Sequence, residues 1–215
     1  MSPDALTAPS AYGPADFARD FAATEAQLAD LARFEAMVVE TNAVMNLVGP
    51  ATLPAFWSRH VLDSAQLLKL APDALTWADL GAGAGFPGVV LAILLKGRPG
   101  GHVHLVDSLT KRCRFLERVV EDLELPATVH NSRAEDLRLK VDIVTARACA
   151  PMDRLLGFAR PYLSQGSTGL FLKGENAEQE LNEARKSWSF DAELLPSLSD
   201  QRGRVVRIRR LSRAK

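Results

Sequence analysis

Cysteines are scarce in this chain and long apolar runs are absent, and each of these two features excludes a class of protein. Only two cysteines occur among its 215 residues, which excludes a disulfide framework and a cysteine zinc site. No segment approaches the ~18 to 20 consecutive apolar residues that cross a bilayer. Residues 1–12 lack the basic cluster and apolar block of a secretory signal. We therefore expect a cytoplasmic globular protein with no metal site and no membrane contact.

The formal net charge is +0, but the charges are unevenly spread. Residues 201–215 hold seven basic side chains and no acid, and a second basic cluster comprises Lys111, Arg112, Arg114 and Arg118. Such patches suit contact with phosphates, although an ordinary solvated face explains each of them equally well.

The hydrophobic periodicity indicates an α/β fold with one structural domain. Residues 73–215 alternate strand, turn and helix, which predicts a mostly parallel sheet with helices on both faces. Residues 1–72 are predicted to be a helical extension packed on this core. The predicted strands are 76–81, 102–107, 127–131, 141–146 and 168–173, with a final antiparallel pair at 192–195 and 205–211; the predicted helices are 14–46 (as one helix or two), 53–70, 87–96, 109–124, 151–163 and 175–187.

A glycine-rich turn follows the first predicted strand and is the most informative feature of the chain. Residues 81–88 contain four glycines, which allow positive φ angles and close approach of a ligand to the backbone. Pro87 suits the first turn of the helix that follows. The free N–H groups of that turn, Gly88 among them, are expected to form an anion site.

Two cofactor classes use such a turn. Residues 83–88 satisfy the G-x-G-x-x-G pattern of a dinucleotide fold, and Asp107 stands where that fold keeps its ribose-binding acid. Asp79, two residues before the first glycine, would repel a pyrophosphate but attract the ammonium and sulfonium charges of S-adenosylmethionine. The methyl donor is therefore favoured, and an NAD-linked oxidoreductase is the alternative.

Polar residues follow five successive predicted strands and are expected to form one site at the carboxyl edge of the sheet. Asp107 is interpreted as accepting two hydrogen bonds from a ribose diol, and the alternative is that it caps the helix that starts near Leu109. Glu135 would lie near an adenine edge. Arg147 would hold the cofactor carboxylate, a substrate phosphate or a guanine edge, and a salt bridge to Asp142 or Glu135 is the alternative. His60 and Asp63 share one helical face and are interpreted as an ordering pair.

A series of short motifs runs in order from about Asn42 to Lys173. They are Asn46-Leu47-Val48, Arg59-His60-Val61-Leu62-Asp63-Ser64, Gly85-Phe86-Pro87-Gly88, Val106-Asp107-Ser108-Leu109-Thr110-Lys111-Arg112, Arg133-Ala134-Glu135, Arg147-Ala148 and Leu172-Lys173-Gly174. With these motifs the chain resembles the bacterial 16S ribosomal RNA guanine-N7 methyltransferase family, known as RsmG or glucose-inhibited division protein B. Thr145-Ala146 stands where many relatives have a serine before Arg-Ala.

The resemblance implies a Rossmann-like class I methyltransferase fold with a seven-stranded sheet, S-adenosylmethionine as donor (leaving S-adenosylhomocysteine), and N7 of a specific guanine in 16S ribosomal RNA as acceptor. It implies cofactor contacts by Gly81, Phe86, Ala134, Glu135 and Arg147, to which the residue pattern adds Asp79, Gly83 and Asp107. The candidates for substrate positioning are Asn46, Arg59, Arg147 and Lys173.

Guanine N7 carries a lone pair and no proton, so the reaction needs alignment rather than a general base. No catalytic residue is therefore assigned. The expected partner is 16S ribosomal RNA or the small ribosomal subunit, and the chain is expected to be a monomer. A non-catalytic RNA-binding assembly factor, suggested by the arginine-rich tail, is a further alternative.

Overall fold

The computed structural model describes residues 12–214; the first eleven residues of the predicted extension and Lys215 of the basic tail lie outside them. Seven strands form one sheet in the order β3-β2-β1-β4-β5-β7-β6. Strands β1 to β5 are parallel, whereas β7 is antiparallel to both β5 and β6. The strands are β1 Thr76–Leu80, β2 His102–Asp107, β3 Ala127–Asn131, β4 Ile143–Arg147, β5 Thr168–Lys173, β6 Trp188–Pro196 and β7 Arg204–Arg213.

Helices cover both faces of the sheet. They are α1 Pro14–Phe21, α2 Glu25–Asn42, α3 Asp63–Leu70, α4 Gly88–Leu95, α5 Thr110–Asp122, α6 Met152–Leu163 and α7 Ala177–Ala184. Side chains alternate along each buried strand: Trp77 packs in the apolar cluster beneath α2, α4 and α5, whereas its neighbour Ala78 packs in the cluster beneath α6 and α7. The mostly parallel seven-stranded α/β sheet is thus confirmed.

The N-terminal segment forms two helices because a capping box interrupts it. Thr24 Oγ1 accepts a hydrogen bond from the Gln27 N–H at 3.2 Å, and the Gln27 side chain accepts one from the Thr24 N–H at 3.0 Å. Phe17 and Phe34, from the two helices, join the same apolar cluster as α4. The extension therefore packs directly on the layer that supports the glycine-rich turn.

The predicted helix 53–70 is not one regular helix. It comprises a 3₁₀ turn, Pro50–Ala55, a π-helical turn, Trp57–Leu62, and then α3. Apolar spacing does not register a 3₁₀ turn that contains Pro54 or a π-helical turn. The last pair of strands is also longer than predicted, with a bulge between Ser189 and Asp191.

The arginine-rich tail is a strand within the sheet rather than a free basic arm. β7 lies between β5 and β6, and several of its arginines are engaged by acids or by an aromatic ring. Arg207 donates to Glu193 Oε2 at 2.6 Å, Arg210 lies 3.2 Å from Asp191 Oδ2, and the Arg213 guanidinium stacks on the Trp188 ring. Part of the charge in this segment is therefore paired within the sheet.

Candidate functional site

The carboxyl ends of the five parallel strands meet at one edge of the sheet and bring the predicted residues together. β1 lies between β2 and β4, so the strand order reverses direction between β1 and β4. Ligands of open α/β sheets bind at such a switch point. Asp79 is near the end of β1, Asp107 ends β2 and Arg147 ends β4.

The glycine-rich turn leaves open space beside Gly83 and none beside Gly81. The φ angles of Gly81, Gly83 and Gly85 are +70°, +54° and +94°, a region that side chains with a Cβ rarely adopt. A methyl group on Gly81 would lie 2.7 Å from the Cys149 Sγ, whereas the nearest atom to one on Gly83 would be a backbone oxygen at 3.6 Å. The free surface of the turn is therefore at Gly83.

Asp79 is fully buried and lies directly under this turn. Its Oδ2 accepts a hydrogen bond from the Gly88 N–H at 2.8 Å, while its Oδ1 is buried with no partner among residues 12–214. Burial raises the pKa of Asp79 to about 7, against the opposing effects of the Gly88 N–H and of Arg147. The prediction that the Gly88 N–H is free for an anion was wrong, because the chain's own carboxylate occupies it.

Asp107 connects the glycine-rich turn to the segment before α5. Its Oδ2 accepts from the Gly83 N–H at 3.0 Å and its Oδ1 from the Leu109 N–H at 2.8 Å, just before α5 begins. The alternative that Asp107 caps α5 was wrong, because the N-cap residue is Leu109 and the helix receives no side-chain cap bond. The Arg112 guanidinium lies 3.7 Å from Oδ2. Each carboxylate oxygen has a second lone pair, so these bonds and binding of a ligand are compatible.

Ala134 and Glu135 lie in a short 3₁₀ turn after β3, Ala134–Asp136. The hydroxyl of the buried Tyr162 donates to the Ala134 carbonyl at 3.0 Å, and Arg138 donates to the Glu135 carbonyl at 2.7 Å. The Glu135 carboxylate is 3.9 Å from Arg133 and about one third exposed. These bonds hold the turn near the ends of β2 and β3 and leave the acidic side chain accessible.

Arg147 is held by residues more than eighty positions earlier in the chain. Its guanidinium donates to the Arg59 carbonyl at 2.9 Å and to His60 Nδ1 at 2.9 Å, and it lies 3.4 Å from Asp63 Oδ2. The predicted alternative, a salt bridge to Asp142 or Glu135, was wrong. Asp142 instead accepts from the backbone N–H groups of residues 75 and 76.

His60 is a neutral structural acceptor rather than a base. Because Nδ1 accepts from Arg147, Nε2 carries the proton and donates to Thr52 Oγ1 at 2.9 Å. Burial, together with the positive charges of Arg147 and Arg59, lowers the pKa of His60 to about 3. The His60 ring stacks on Phe86 at 4.6 Å, so the buried Phe86 joins the glycine-rich turn to this network.

A cavity of about 430 Å³ adjoins the Arg147 network. Arg59, Arg147 and Lys173 all line it, as do Leu47, Val48 and Gly49, but the exposed Asn46 does not. Lys173 Nζ donates to the Ala150 carbonyl at 2.8 Å and pairs with Glu180 at 2.6 Å. The structure thus brings three of the four predicted positioning candidates together and leaves Asn46 outside the cavity wall.

Sequence reasoning missed the residues that close this cavity. Asn42 Oδ1 accepts from the N–H groups of Leu47 and Val48 at 2.8 and 2.9 Å and so shapes one wall. On the opposite wall, Ser199 donates to Asp63 Oδ1 at 2.6 Å. Asn42 lies next to the Asn46-Leu47-Val48 motif, which is a usable signal, but nothing in the sequence links Ser199 to Asp63.

Cys149 is a protonated thiol rather than an activated nucleophile. It is half-buried against Gly81, and burial together with the nearby carboxylates Asp79 and Asp107 raises its pKa.

Among residues 12–214, no group of three or more His, Cys, Asp or Glu side chains has the arrangement of a metal site. Within the same residues, no helix is both long enough and apolar enough to span a membrane.

The sheet order and the glycine-rich turn define a class I S-adenosylmethionine-dependent methyltransferase fold. Magnesium protoporphyrin IX methyltransferase from Synechocystis PCC 6803, solved with bound SAM, is similar with a TM-score of 0.56 at 13% identity, over 88% of this chain and 99% of that one. The fibrillarin/Nop5p complex has a TM-score of 0.53 at 15% identity, over 71% and 82%.

The chain belongs to the GidB family of rRNA small subunit methyltransferase G, which matches residues 27–205. Ribosomal RNA small subunit methyltransferase G of Caulobacter vibrioides is 63% identical over 216 residues, covering 100% of both chains. The protein of that name from Methylorubrum populi is 48% identical over 191 residues, covering 87% of this chain and 90% of its own.

Membership of this family disfavours both alternative functions. The oxidoreductase rested on the G-x-G-x-x-G pattern, yet the Gly88 N–H that would face a pyrophosphate is bonded to Asp79. The non-catalytic assembly factor rested on the arginine-rich tail, which is a strand of the sheet. The resemblance to the guanine-N7 methyltransferase family and the class I fold are both confirmed.

Proposed function

We propose that this protein transfers a methyl group from S-adenosylmethionine to N7 of a specific guanine in 16S ribosomal RNA. The observation that carries the proposal is the unpartnered Oδ1 of the buried Asp79 beneath an open glycine-rich turn. A buried carboxylate oxygen without a partner is costly, and a cationic ligand would offset that cost. The NAD-linked and non-catalytic alternatives lack such an observation.

The residues present fit S-adenosylmethionine, which when bound supplies an activated methyl group. Asp79 would face its positive charges, the open side of Gly83 would admit it, and Asp107 would accept the ribose hydroxyls with its remaining lone pairs. Ala134 and Glu135 would flank the adenine. Gly81 and Phe86 would contact the cofactor through the backbone, because Cys149 fills the side-chain position of Gly81 and the Phe86 ring is buried.

Arg147 would act on the border between cofactor and substrate. Its guanidinium lies over the Phe86 ring of the glycine-rich turn and also lines the cavity. The cavity has room for a base, and the cations of Arg59 and Lys173 on its wall would orient an anionic nucleic acid. The bound cofactor would supply the methyl group on an activated carbon–sulfur bond, and guanine N7, which has a lone pair and no proton, would need no general base from the protein. Alignment of N7 with that bond is then the main catalytic contribution.

The test is a methylation assay that identifies the modified base. The purified protein is incubated with methyl-labelled S-adenosylmethionine and either naked 16S RNA or unmethylated small ribosomal subunits. We expect the label in 7-methylguanosine at one position, located by reduction and aniline cleavage of the RNA. Label in any other nucleoside, or none with either substrate, would overturn the proposal.

The open side of Gly83 provides a steric test of cofactor placement. Gly83→Val should abolish binding of S-adenosylmethionine, because the side chain would enter the space proposed for the ligand. Gly97→Val is the matched control: Gly97 also has a positive φ, +81°, and open surroundings, but it lies after α4, away from the site. Both variants should lose about 1 kcal/mol of stability from backbone strain. Titration calorimetry should then show lost affinity for Gly83→Val alone.

The raised pKa of Asp79 makes cofactor affinity dependent on pH. In the free protein Asp79 takes up a proton as the pH falls through about 7, and the neutral form does not attract a cation. We expect the affinity for S-adenosylmethionine to fall by up to about tenfold per pH unit below that value. A dissociation constant that is equal at about pH 6 and about pH 8 would contradict this role.

A further inference from the structure

A second groove lies between the C-terminal end of α2 and the exposed face of α5, apart from the cavity described above. It has a volume of about 370 Å³. Lys111, Arg114 and Arg118 form its cationic side, and they occupy one face of α5 because they are three and four residues apart. Phe115 also lines the groove but is buried, and Leu116 and Val119, on the inner side of the helix, are buried in the core.

Two of these cations are available for a ligand. Lys111 and Arg114 are exposed, and within residues 12–214 neither makes an ion pair. Arg118 already has two partners: it donates to Thr41 Oγ1 at 3.0 Å and lies 3.8 Å from the exposed Glu40, the one acid that the described part of the chain places on the groove wall. The chain as a whole has no net charge, so this unneutralised pair is a local feature rather than part of a basic surface.

Apolar side chains accompany the cations. Val44, on the groove wall, is 88% exposed, and Leu109, at the start of α5, is 52% exposed. Leu109 is outside the groove wall, but Leu109 and Lys111 follow Asp107 by two and four residues, so the groove begins close to the glycine-rich turn that Asp107 contacts. Cations combined with exposed apolar groups beside an active site fit a nucleic acid strand, which presents phosphates and base faces together.

We propose that this groove, formed by Val44, Met45, Lys111, Arg114 and Arg118, binds the backbone of the RNA substrate outside the reactive guanine. The proposal rests on the proposed function, because it extends that function's substrate from the cavity onto α5. Lys111 and Arg114 contact phosphates, and Val44 packs against a base or ribose. The groove therefore contributes affinity for the RNA and takes no part in the methyl transfer itself.

The test compares charge reversals at two places. Lys111→Glu/Arg114→Glu alters the groove. Lys140→Glu/Arg160→Glu makes the same change of charge at exposed residues near the amino ends of β4 and β5, the opposite edge of the sheet. Affinity for 16S RNA is measured over a range of salt concentrations, methylation over a range of RNA concentrations, and S-adenosylmethionine binding by calorimetry. Thermal unfolding checks that each variant is folded.

We expect the groove variant to bind RNA at least about tenfold more weakly. We also expect the slope of log affinity against log salt concentration to become shallower by about two, one for each lost cation. Its KM for RNA rises while its kcat and cofactor affinity stay unchanged, and the control variant behaves like the parent. An equal loss of RNA affinity in both variants would show that only the total charge of the protein matters, and it would overturn the proposal. Unchanged RNA affinity with weaker binding to assembled subunits would overturn it in favour of a protein partner.

The two proposals fail in different ways. If the parent protein does not form 7-methylguanosine, the proposed function fails. If the parent forms it and the groove variant does so with an unchanged KM, only the groove proposal fails. Lys111→Gln/Arg114→Gln provides a second variant without repulsive charges, for which a smaller rise in KM is expected.

Discussion

Asp79→Asn is expected to stabilise the cofactor-free protein at alkaline pH and to lose most of its affinity for S-adenosylmethionine. The pKa of Asp79 is higher in the folded chain, about 7, than the ordinary 3.8. The folded state therefore binds this proton more tightly than the unfolded state does, and stability falls as the pH rises from about 3.8 through about 7. Asparagine keeps an acceptor for the Gly88 N–H but carries no charge to bury.

The size of the effect follows from the shift. About three pKa units set an upper limit of about 4 kcal/mol, and we expect a gain of about 1 to 2 kcal/mol at about pH 8, because the asparagine amide is also polar and buried. At about pH 5 the gain should disappear, since Asp79 is then protonated. Loss of a charge-assisted contact should weaken cofactor binding by about 30- to 150-fold. Denaturant unfolding at the two pH values measures the first effect and calorimetry the second. Destabilisation at both pH values would contradict the assignment.

Asp63→Ala is expected to destabilise the protein by about 2 to 3 kcal/mol and to reduce methylation by about tenfold or more. Asp63 and Arg147 are only 17% and 18% exposed, so removal of the carboxylate leaves a largely buried guanidinium without its counter-charge. The same change also removes the acceptor of the Ser199 hydroxyl, which holds one wall of the cavity in place.

Glu183→Ala is the matched control for this ion pair. Glu183 pairs with Lys186 at 2.7 Å, but both side chains are about two thirds exposed, and the pair lies at the end of α7 away from the cavity. Exposed pairs contribute about 0 to 1 kcal/mol. Thermal or denaturant unfolding of the two variants should therefore differ clearly, and equal small losses would show that the Asp63–Arg147 pair does not organise the site.

The local part of this architecture could be predicted from the sequence. Strands at 102–107, 127–131 and 168–173 were predicted with the bounds observed, because short apolar runs between turn residues determine them. The glycine-rich turn was recognisable for the same reason. Each of these features depends on neighbours within about ten residues of the chain.

The predictions that failed depend on distant contacts. The partners of Arg147 lie 84 to 88 residues away, on a π-helical turn that apolar spacing did not reveal and at the first residue of α3. The basic tail was considered without the acids of β6 that face it. The Gly88 N–H is the exception: Asp79 is only nine residues earlier, but the sequence pattern does not show which N–H group its carboxylate reaches. Asp79, Asp107 and the other proposed cofactor contacts remain predictions.

Calorimetric titration of the purified protein with S-adenosylmethionine and with NAD⁺ tests the central claim most directly. That claim is that the glycine-rich turn above Asp79 binds a cationic methyl donor. We predict a saturable heat with S-adenosylmethionine that Gly83→Val removes and that Asp79→Asn shifts to about 30- to 150-fold weaker binding, and no binding of NAD⁺. Saturable binding of NAD⁺ to the parent protein, or S-adenosylmethionine affinity that survives in both variants, would contradict it.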